Sequence, residues 1–220
     1  MGRYYDLVIF DMDGVLTKCR SSWGYVHDVM GVDNEASLEA FVKGEIDEKE
    51  FMRRDIKLWI DKDPDIRDLD IARIVRDMPV IDGLQETVAC LRYNRIKSVI
   101  CSGGIGHAAK MIAEEYGFDG YIADNLETYP DGRLTGEGIL NVDLKDKGIA
   151  ARTFIEKYGT APERTVSVGN SFTDIAMFRC TGTSIAFNPT DEMTETAAAH
   201  VVKSGNIADI LDIIMYHEGE

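Results

Sequence analysis

The feature that most constrains this chain is a short apolar run that ends abruptly in acid: Leu7-Val8-Ile9-Phe10, then Asp11-Met12-Asp13-Gly14. Four apolar residues without alternation read as a strand buried on both faces, as in a parallel sheet. Similar runs recur at Ser98-Val99-Ile100-Cys101, Thr165-Val166-Ser167-Val168 and Ser184-Ile185-Ala186-Phe187, each followed by glycine or a polar turn. His200-Val201-Val202 reads as a last short strand. Helical faces lie between them: Leu84, Val88 and Leu91; Ile105, Ala108, Ala109 and Ile112; Ala150, Phe154 and Tyr158; Ile207, Ile210, Leu211 and Ile214. Strands alternating with helices predict an α/β domain, a Rossmann-like core with a mostly parallel sheet.

The stretch from Lys18 to Pro79 breaks that alternation. It carries helical stripes (Trp23, Val26 and Met30; Met52, Ile56, Trp59 and Ile60; Ile71, Ile74, Val75 and Met78) with no convincing strand. Asp47 followed by Glu50 can box the start of the second of these helices. Pro64 disfavours helix at Asp63. The expected organisation is a helical cap at 18–79 inserted after the first strand of a core formed by 1–17 and 80–220. The pair Asp131-Gly132 is a hairpin signal, with Ile122 to Glu127 and Leu134 to Ile139 as arms.

Charge narrows the partners. Against 24 Lys and Arg stand 39 Asp and Glu, a formal charge of -15 over 220 residues. Such a surface repels nucleic acid and anionic membrane, and leaves a small metabolite held in a local pocket as the expected partner. No apolar window is long enough to span a bilayer. Met1 to Asp6 lack the apolar length and cleavage site of a signal peptide. The cysteines Cys19, Cys90, Cys101 and Cys180 form no CxxC pair, and the histidines His27, His107, His200 and His217 have no zinc-ligand spacing. A cytoplasmic protein with free thiols, monomeric or homodimeric, is the expectation.

In a parallel α/β sheet, sites form at the carboxyl ends of strands. That edge collects Asp11 and Asp13, Ser102 with Gly103 and Gly104, and Gly169-Asn170-Ser171-Phe172-Thr173-Asp174; Lys147 stands just ahead of a helix. Phosphoryl transfer through a carboxylate uses such a set. Asp11 can attack phosphorus. Asp13 can protonate the leaving alcohol and later activate water. Lys147 supplies a point positive charge, although Lys145 is a rival that Gly148 disfavours. Ser102 and nearby backbone N–H groups can hold phosphate oxygens, and oxygen ligands suit Mg²⁺.

Asp11-Met12-Asp13-Gly14-Val15-Leu16-Thr17 resembles the first motif of the haloacid dehalogenase superfamily. Ser102 matches its second motif, Lys147 its third, and Gly169 to Asp174 its fourth, in order over nearly the whole chain. The helical insertion, Cys101-Ser102-Gly103-Gly104 and Lys147-Gly148 resemble the phosphoserine-phosphatase-like branch. The resemblance implies a Rossmann-like core, a mobile cap, Mg²⁺, an aspartyl nucleophile and a small phosphomonoester substrate. Dehalogenases of the superfamily lack the second Asp, so Asp13 favours phosphatase chemistry.

Residue by residue, the resemblance implies Asp11 as nucleophile and metal ligand, and Asp13 as acid/base with its backbone carbonyl on the metal. It implies Ser102, Gly103 and Lys147 on the phosphate. The metal-binding Asp that usually opens the fourth motif is here Asn170, which can ligate only through a neutral oxygen or else cap a helix. Asp174 matches the acidic group that orients waters around the metal. In phosphoserine phosphatases a Glu after the first motif meets the substrate amine and a cap Arg meets its carboxylate. Here Arg20 and Asp55 fall near those positions, with Arg53 and Arg54 beside the second. Both charges would then be reversed, which makes phosphoserine a poor expected substrate and Arg20 and Asp55 the candidates for specificity. Two other activities fit the same motifs: a catalytically weak binding or regulatory protein, and a phosphotransferase or phosphomutase.

Overall fold

The computed structural model describes residues 4–215. The expectations about Met1, Gly2, Arg3 and His217 lie outside the described residues. Seven strands form one sheet in the order β4-β3-β2-β1-β5-β6-β7. They are β1 (Leu7–Phe10), β2 (Lys97–Ile105), β3 (Gly120–Thr128), β4 (Leu134–Ile139), β5 (Thr165–Gly169), β6 (Thr183–Phe187) and β7 (His200–Val202). All neighbours pair in parallel except β3 and β4. Strand β1 is central, and its missing alternation has a direct cause. Val8 and Phe10 join the apolar cluster on one face, and Leu7 and Ile9 join the cluster on the other. In helical order along the chain come α1 (Ser22–Met30), α2 (Glu35–Val42), α3 (Glu48–Lys62), α4 (Asp68–Arg76), α5 (Leu84–Tyr93), α6 (Gly106–Tyr116) and α7 (Gly148–Lys157). Helices α5 and α6 cover the first face and α7 the second, through the residues whose spacing marked them in the sequence.

The hairpin is not a separate feature. Its Gly120–Ala123 half pairs in parallel with β2, and the remainder turns outward to pair with β4 in antiparallel fashion. The parallel half escapes sequence reading because Gly-Tyr-Ile-Ala offers no apolar run.

Helices α1 to α4 form the insertion after β1. The chain enters and leaves it side by side: Thr17 bridges Val80, Lys18 N–H donates to Pro79 O at 2.8 Å, and Ile81 N–H donates to Leu16 O at 2.9 Å. Ser21 caps α1 by accepting from Gly24 N–H at 3.2 Å, and Gly31 ends it in the left-handed conformation at φ 65°. Asp47 caps α3 through Glu50 N–H at 2.8 Å, while the Glu50 carboxylate is taken by Arg53 and Arg54 rather than closing the box. Helix α2 has no counterpart in the sequence stripes. Only Ser37 of its residues is buried, and Leu38 and Val42 face solvent, so it carries no continuous apolar face.

The insertion rests on the core at several points. Met52 of α3 lies against Gly138 of β4, where a Cβ would come within 2.3 Å of its methyl carbon. Arg53 pairs with Glu137 at 2.8 Å. Asp68, at the start of α4, meets His107 of α6 at 2.7 Å. A cleft of about 490 Å³ remains between insertion and sheet edge.

Candidate active site

The floor of the cleft is the carboxyl edge of β1, β2 and β5. Lys147 Nζ lies 2.8 Å from Asp11 Oδ1 and 2.7 Å from Asp174 Oδ1. All three side chains are buried, with Lys147 only 2% exposed, whereas Lys145 is exposed. Of the two lysines, Lys147 is the one that reaches the carboxylates. Burial alone would lower the Lys147 pKa, but Asp11 and Asp174 outweigh it and raise it, so the ammonium stays charged. Burial, then the Asp174 charge, raises the Asp11 pKa against the pull of Lys147. Asp174 is fixed from the other side: its Oδ2 accepts Asn170 N–H at 2.9 Å and Ser171 N–H at 3.1 Å. Gly169 permits this approach, since a Cβ there would lie 2.5 Å from Asp174.

Asp13 is held differently. Its Oδ2 accepts both the backbone N–H and the hydroxyl of Ser22, each at 2.9 Å, while its buried Oδ1 has no partner. Burial raises the Asp13 pKa against those two bonds, which favours its protonated form. Ser22 Oγ also accepts Ile105 N–H at 2.9 Å, so one hydroxyl ties the first residue of α1 to β2 and to Asp13. Sequence reasoning missed Ser22. Its only signal is adjacency to the capping Ser21, which does not say where the side chain goes. Gly104 is the close approach that makes room: a Cβ there would come within 2.6 Å of Asp13, Met12 and Ser22.

Ser102 Oγ accepts Gly104 N–H at 3.1 Å, and Gly103 O accepts the Trp23 indole N–H at 3.1 Å, joining the insertion to this loop. Trp23 stacks on Trp59 with ring centroids 5.3 Å apart. Asn170 lines the same cleft, and its side chain packs over Gly14, which has φ 75° and no room for a Cβ. Cys101 is buried beside this edge, and burial pushes its thiol up to about 12, which makes it inert.

Arg20 and Asp55 both line the cleft, but their states differ. Arg20 is exposed at the rim. Asp55 is 1% exposed, and its oxygens are already occupied. Asn34 Nδ2 donates to both at 3.1 Å, and the Ser37 hydroxyl donates to Oδ1 at 3.4 Å. His27 Nε2 stands 3.1 Å from Oδ2 without hydrogen-bond alignment. The Trp59 indole N–H donates to His27 Nδ1 at 2.8 Å, which assigns the imidazole proton to Nε2. Glu48, the first residue of α3, also lines the cleft and has no counterpart in the sequence reading.

The floor suits a divalent cation. Three carboxylates, Asp11, Asp13 and Asp174, face one ammonium, and Asp13 keeps an unpartnered buried oxygen. Among the described residues, no three His, Cys, Asp or Glu side chains are grouped to hold a metal. A cation here would therefore also draw on neutral oxygens, such as the Asn170 carboxamide or backbone carbonyls, and that all-oxygen set fits Mg²⁺.

The sequence profile of haloacid dehalogenase-like hydrolases matches residues 5–182. The chain belongs to this family. Among curated relatives, phosphoserine phosphatase of Archaeoglobus fulgidus is 27% identical over 212 residues, which cover 94% of this chain and 59% of that protein. Phosphoserine phosphatase SerB2 of Mycobacterium tuberculosis is 31% identical over 88% of this chain and 46% of its own length. The chain thus spans only about half the length of these two relatives. It spans 94% of the phosphoserine phosphatase of Idiomarina loihiensis, at 26% identity. The fold matches a solved phospho-aspartyl intermediate analogue of phosphoserine phosphatase with a TM-score of 0.81, at 24% identity over 95% of this chain and 98% of that one. Haloacid dehalogenase-like members share this sheet with helical insertions, so the expected fold class holds.

Proposed function

We propose that the chain hydrolyses a small phosphomonoester through an aspartyl-phosphate formed on Asp11. The observation that carries this reading is the buried Lys147 ammonium, shared between Asp11 and Asp174 at the floor of the cleft. Lys147 orients the Asp11 carboxylate and offsets charge on an incoming phosphate. An Asp11 oxygen bonds to phosphorus as the bond to the leaving alkoxide breaks. Asp13 transfers a proton to that alkoxide, and Ser22 holds its carboxyl in place. Asp13 then takes a proton from water, whose oxygen attacks phosphorus and releases inorganic phosphate and the Asp11 carboxylate. Ser102 and the backbone of Gly103 cradle phosphate oxygens.

The family is generally Mg²⁺-dependent. In this chain Asp11, the Asp13 carbonyl and the Asn170 carboxamide would hold the ion, with Asp174 orienting its waters. Bound there, Mg²⁺ would neutralise the phosphate oxygens. Residues 18–79 act as the cap, and 1–17 with 80–220 as the core. Entry and exit at Thr17 and Val80 provide the two adjoining chain segments on which the cap can swing. No helix among the described residues is long and apolar enough to cross a membrane. With four free cysteines, this supports action in the reducing cytosol.

The test is a screen of phosphorylated metabolites with Mg²⁺, repeated with Asp11→Asn. Turnover in the wild type that drops at least about 10³-fold in the variant is the expected result. Equal turnover in both would end the mechanism, and binding without turnover in the wild type would favour a regulatory protein.

A further inference from the structure

Gly103 and Gly104 are extra residues in strand β2. Ser102 stands opposite Ala123 and Ile105 opposite Asp124, so the two glycines between them face no residue of β3. Such a bulge frees backbone groups from the sheet, and they need other partners. Three side chains supply them. Ser102 Oγ accepts Gly104 N–H, the Trp23 indole N–H donates to Gly103 O, and Ser22 Oγ accepts Ile105 N–H. Two of the three, Ser22 and Trp23, are neighbours in the first turn of α1, on the insertion.

The peptide between Gly103 and Gly104 is planar, so its carbonyl and its N–H turn together. Trp23 holds it at the oxygen and Ser102 holds it at the nitrogen, each at 3.1 Å. Ser102 Oγ is used here as an acceptor, which leaves its own proton to donate to a phosphate oxygen. We propose that Trp23 is a positioning residue of the phosphate-binding loop: its indole N–H fixes the Gly103–Gly104 peptide, and through it the Ser102 hydroxyl, for the phosphoryl group. This rests on the phosphatase reading and adds a residue of the insertion to its phosphate site. Phosphate in turn favours the Trp23 bond, because coupling between two contacts is reciprocal. Trp59 is the matched control. Its ring stacks on that of Trp23, 14° from parallel, and its own N–H goes to His27 inside the insertion. These are the two tryptophans of the chain. Replacing either by Phe keeps an aromatic ring in the stack and removes one indole N–H, but only at Trp23 does the loop lose a bond.

The experiment measures inorganic phosphate on the Mg²⁺-loaded wild type, Trp23→Phe and Trp59→Phe, by calorimetry and by its inhibition of p-nitrophenyl phosphate hydrolysis. Trp23→Phe should weaken phosphate about tenfold, the scale of a buried carbonyl left without its donor. Trp59→Phe should leave phosphate binding nearly unchanged, although it removes the more deeply buried of the two indoles. A merely structural stack would weaken phosphate equally in both variants, which overturns the proposal. Trp59→Phe also leaves Trp23 as the single indole, so the hydrogen exchange of its N–H can be followed by NMR. Saturating phosphate should slow that exchange about tenfold, the reciprocal of the affinity lost in Trp23→Phe. Exchange that phosphate does not alter overturns the proposal. Hydrolysis by the wild type together with equal phosphate binding in all three proteins defeats the Trp23 assignment alone. A wild type that neither binds phosphate nor cleaves p-nitrophenyl phosphate defeats the phosphatase reading, and the Trp23 assignment with it.

Discussion

The floor of the cleft and its wall on the insertion hold their carboxylates in different ways. On the floor, Lys147 bridges Asp11 and Asp174, backbone N–H groups complete Asp174, and Ser22 holds one oxygen of Asp13 while the other stays unpartnered. On the wall, Glu48 is buried with one oxygen unpaired, and Asp55 has turned its acceptors inward to Asn34 and Ser37. In the proposed reaction the floor orients Asp11 through Lys147 before substrate arrives.

The comparison can be broken most forcefully at Lys147. Lys147→Met should cost about 3–5 kcal/mol of folding stability, because two buried carboxylates lose their cation. Denaturant melts at neutral pH would show it. A near-neutral result would mean that the floor is not pre-balanced. Next in size, Gly104→Ala should push Met12, Asp13 and Ser22 apart and lower the rate by about 10²-fold, as misplaced catalytic groups do. Steady-state kinetics with a constant melting temperature would separate this from unfolding.

Asn170→Asp adds a charge to the proposed ion site and should tighten Mg²⁺ by about tenfold, a gain of the order that one charged ligand brings. Calorimetry reads it directly, and an unchanged constant would remove Asn170 from the ligand set.

The smallest effect concerns the wall. Burial, first, and the Asp124 and Asp143 charges push the Glu48 carboxyl up from 4.5 to about 7, against the Leu144 N–H bond and the Lys145 charge. A carboxyl whose folded pKa is raised is penalised when ionised. That penalty is absent below about pH 4.5, grows as pH rises and is complete above about pH 7. Between about pH 5 and pH 8, Glu48→Gln should therefore lose less melting temperature than the wild type, by a few degrees. Parallel melting curves would show that Glu48 is already satisfied in the free protein, and the contrast between floor and wall would fail.

Much of the floor was legible in the chain. Asp11, Asp13, Ser102, Lys147, Asn170 and Asp174 all sit where a buried strand stops or a helix starts, and all six line or floor one cleft. The wall was not legible to the same degree. Arg20 and Asp55 were found by position, but their states were not: Arg20 is exposed, and Asp55 is locked in a polar network. Glu48 looked like an ordinary acid in the first turn of a helix, where carboxylates are common for reasons of the helix dipole alone. Ser22 looked like a second cap residue. Helix α2 was invisible because it shows no continuous apolar stripe: Leu38 and Val42 are exposed, and Phe41 is only half-buried against Phe51.

By itself, then, the order of apolar runs and polar stops determined the parallel core, its central strand and the acids at its edge, because these depend on local burial and on where a strand must end. Only the tertiary structure decided that Ser22 holds Asp13, that Lys147 rather than Lys145 is buried, and that Asp55 has its acceptors filled while one oxygen of Glu48 has no partner. Those outcomes depend on which side chains from distant segments arrive within about 3 Å of one another, the reach of a hydrogen bond. They also depend on which polar groups are shut away from water once the insertion settles on the sheet.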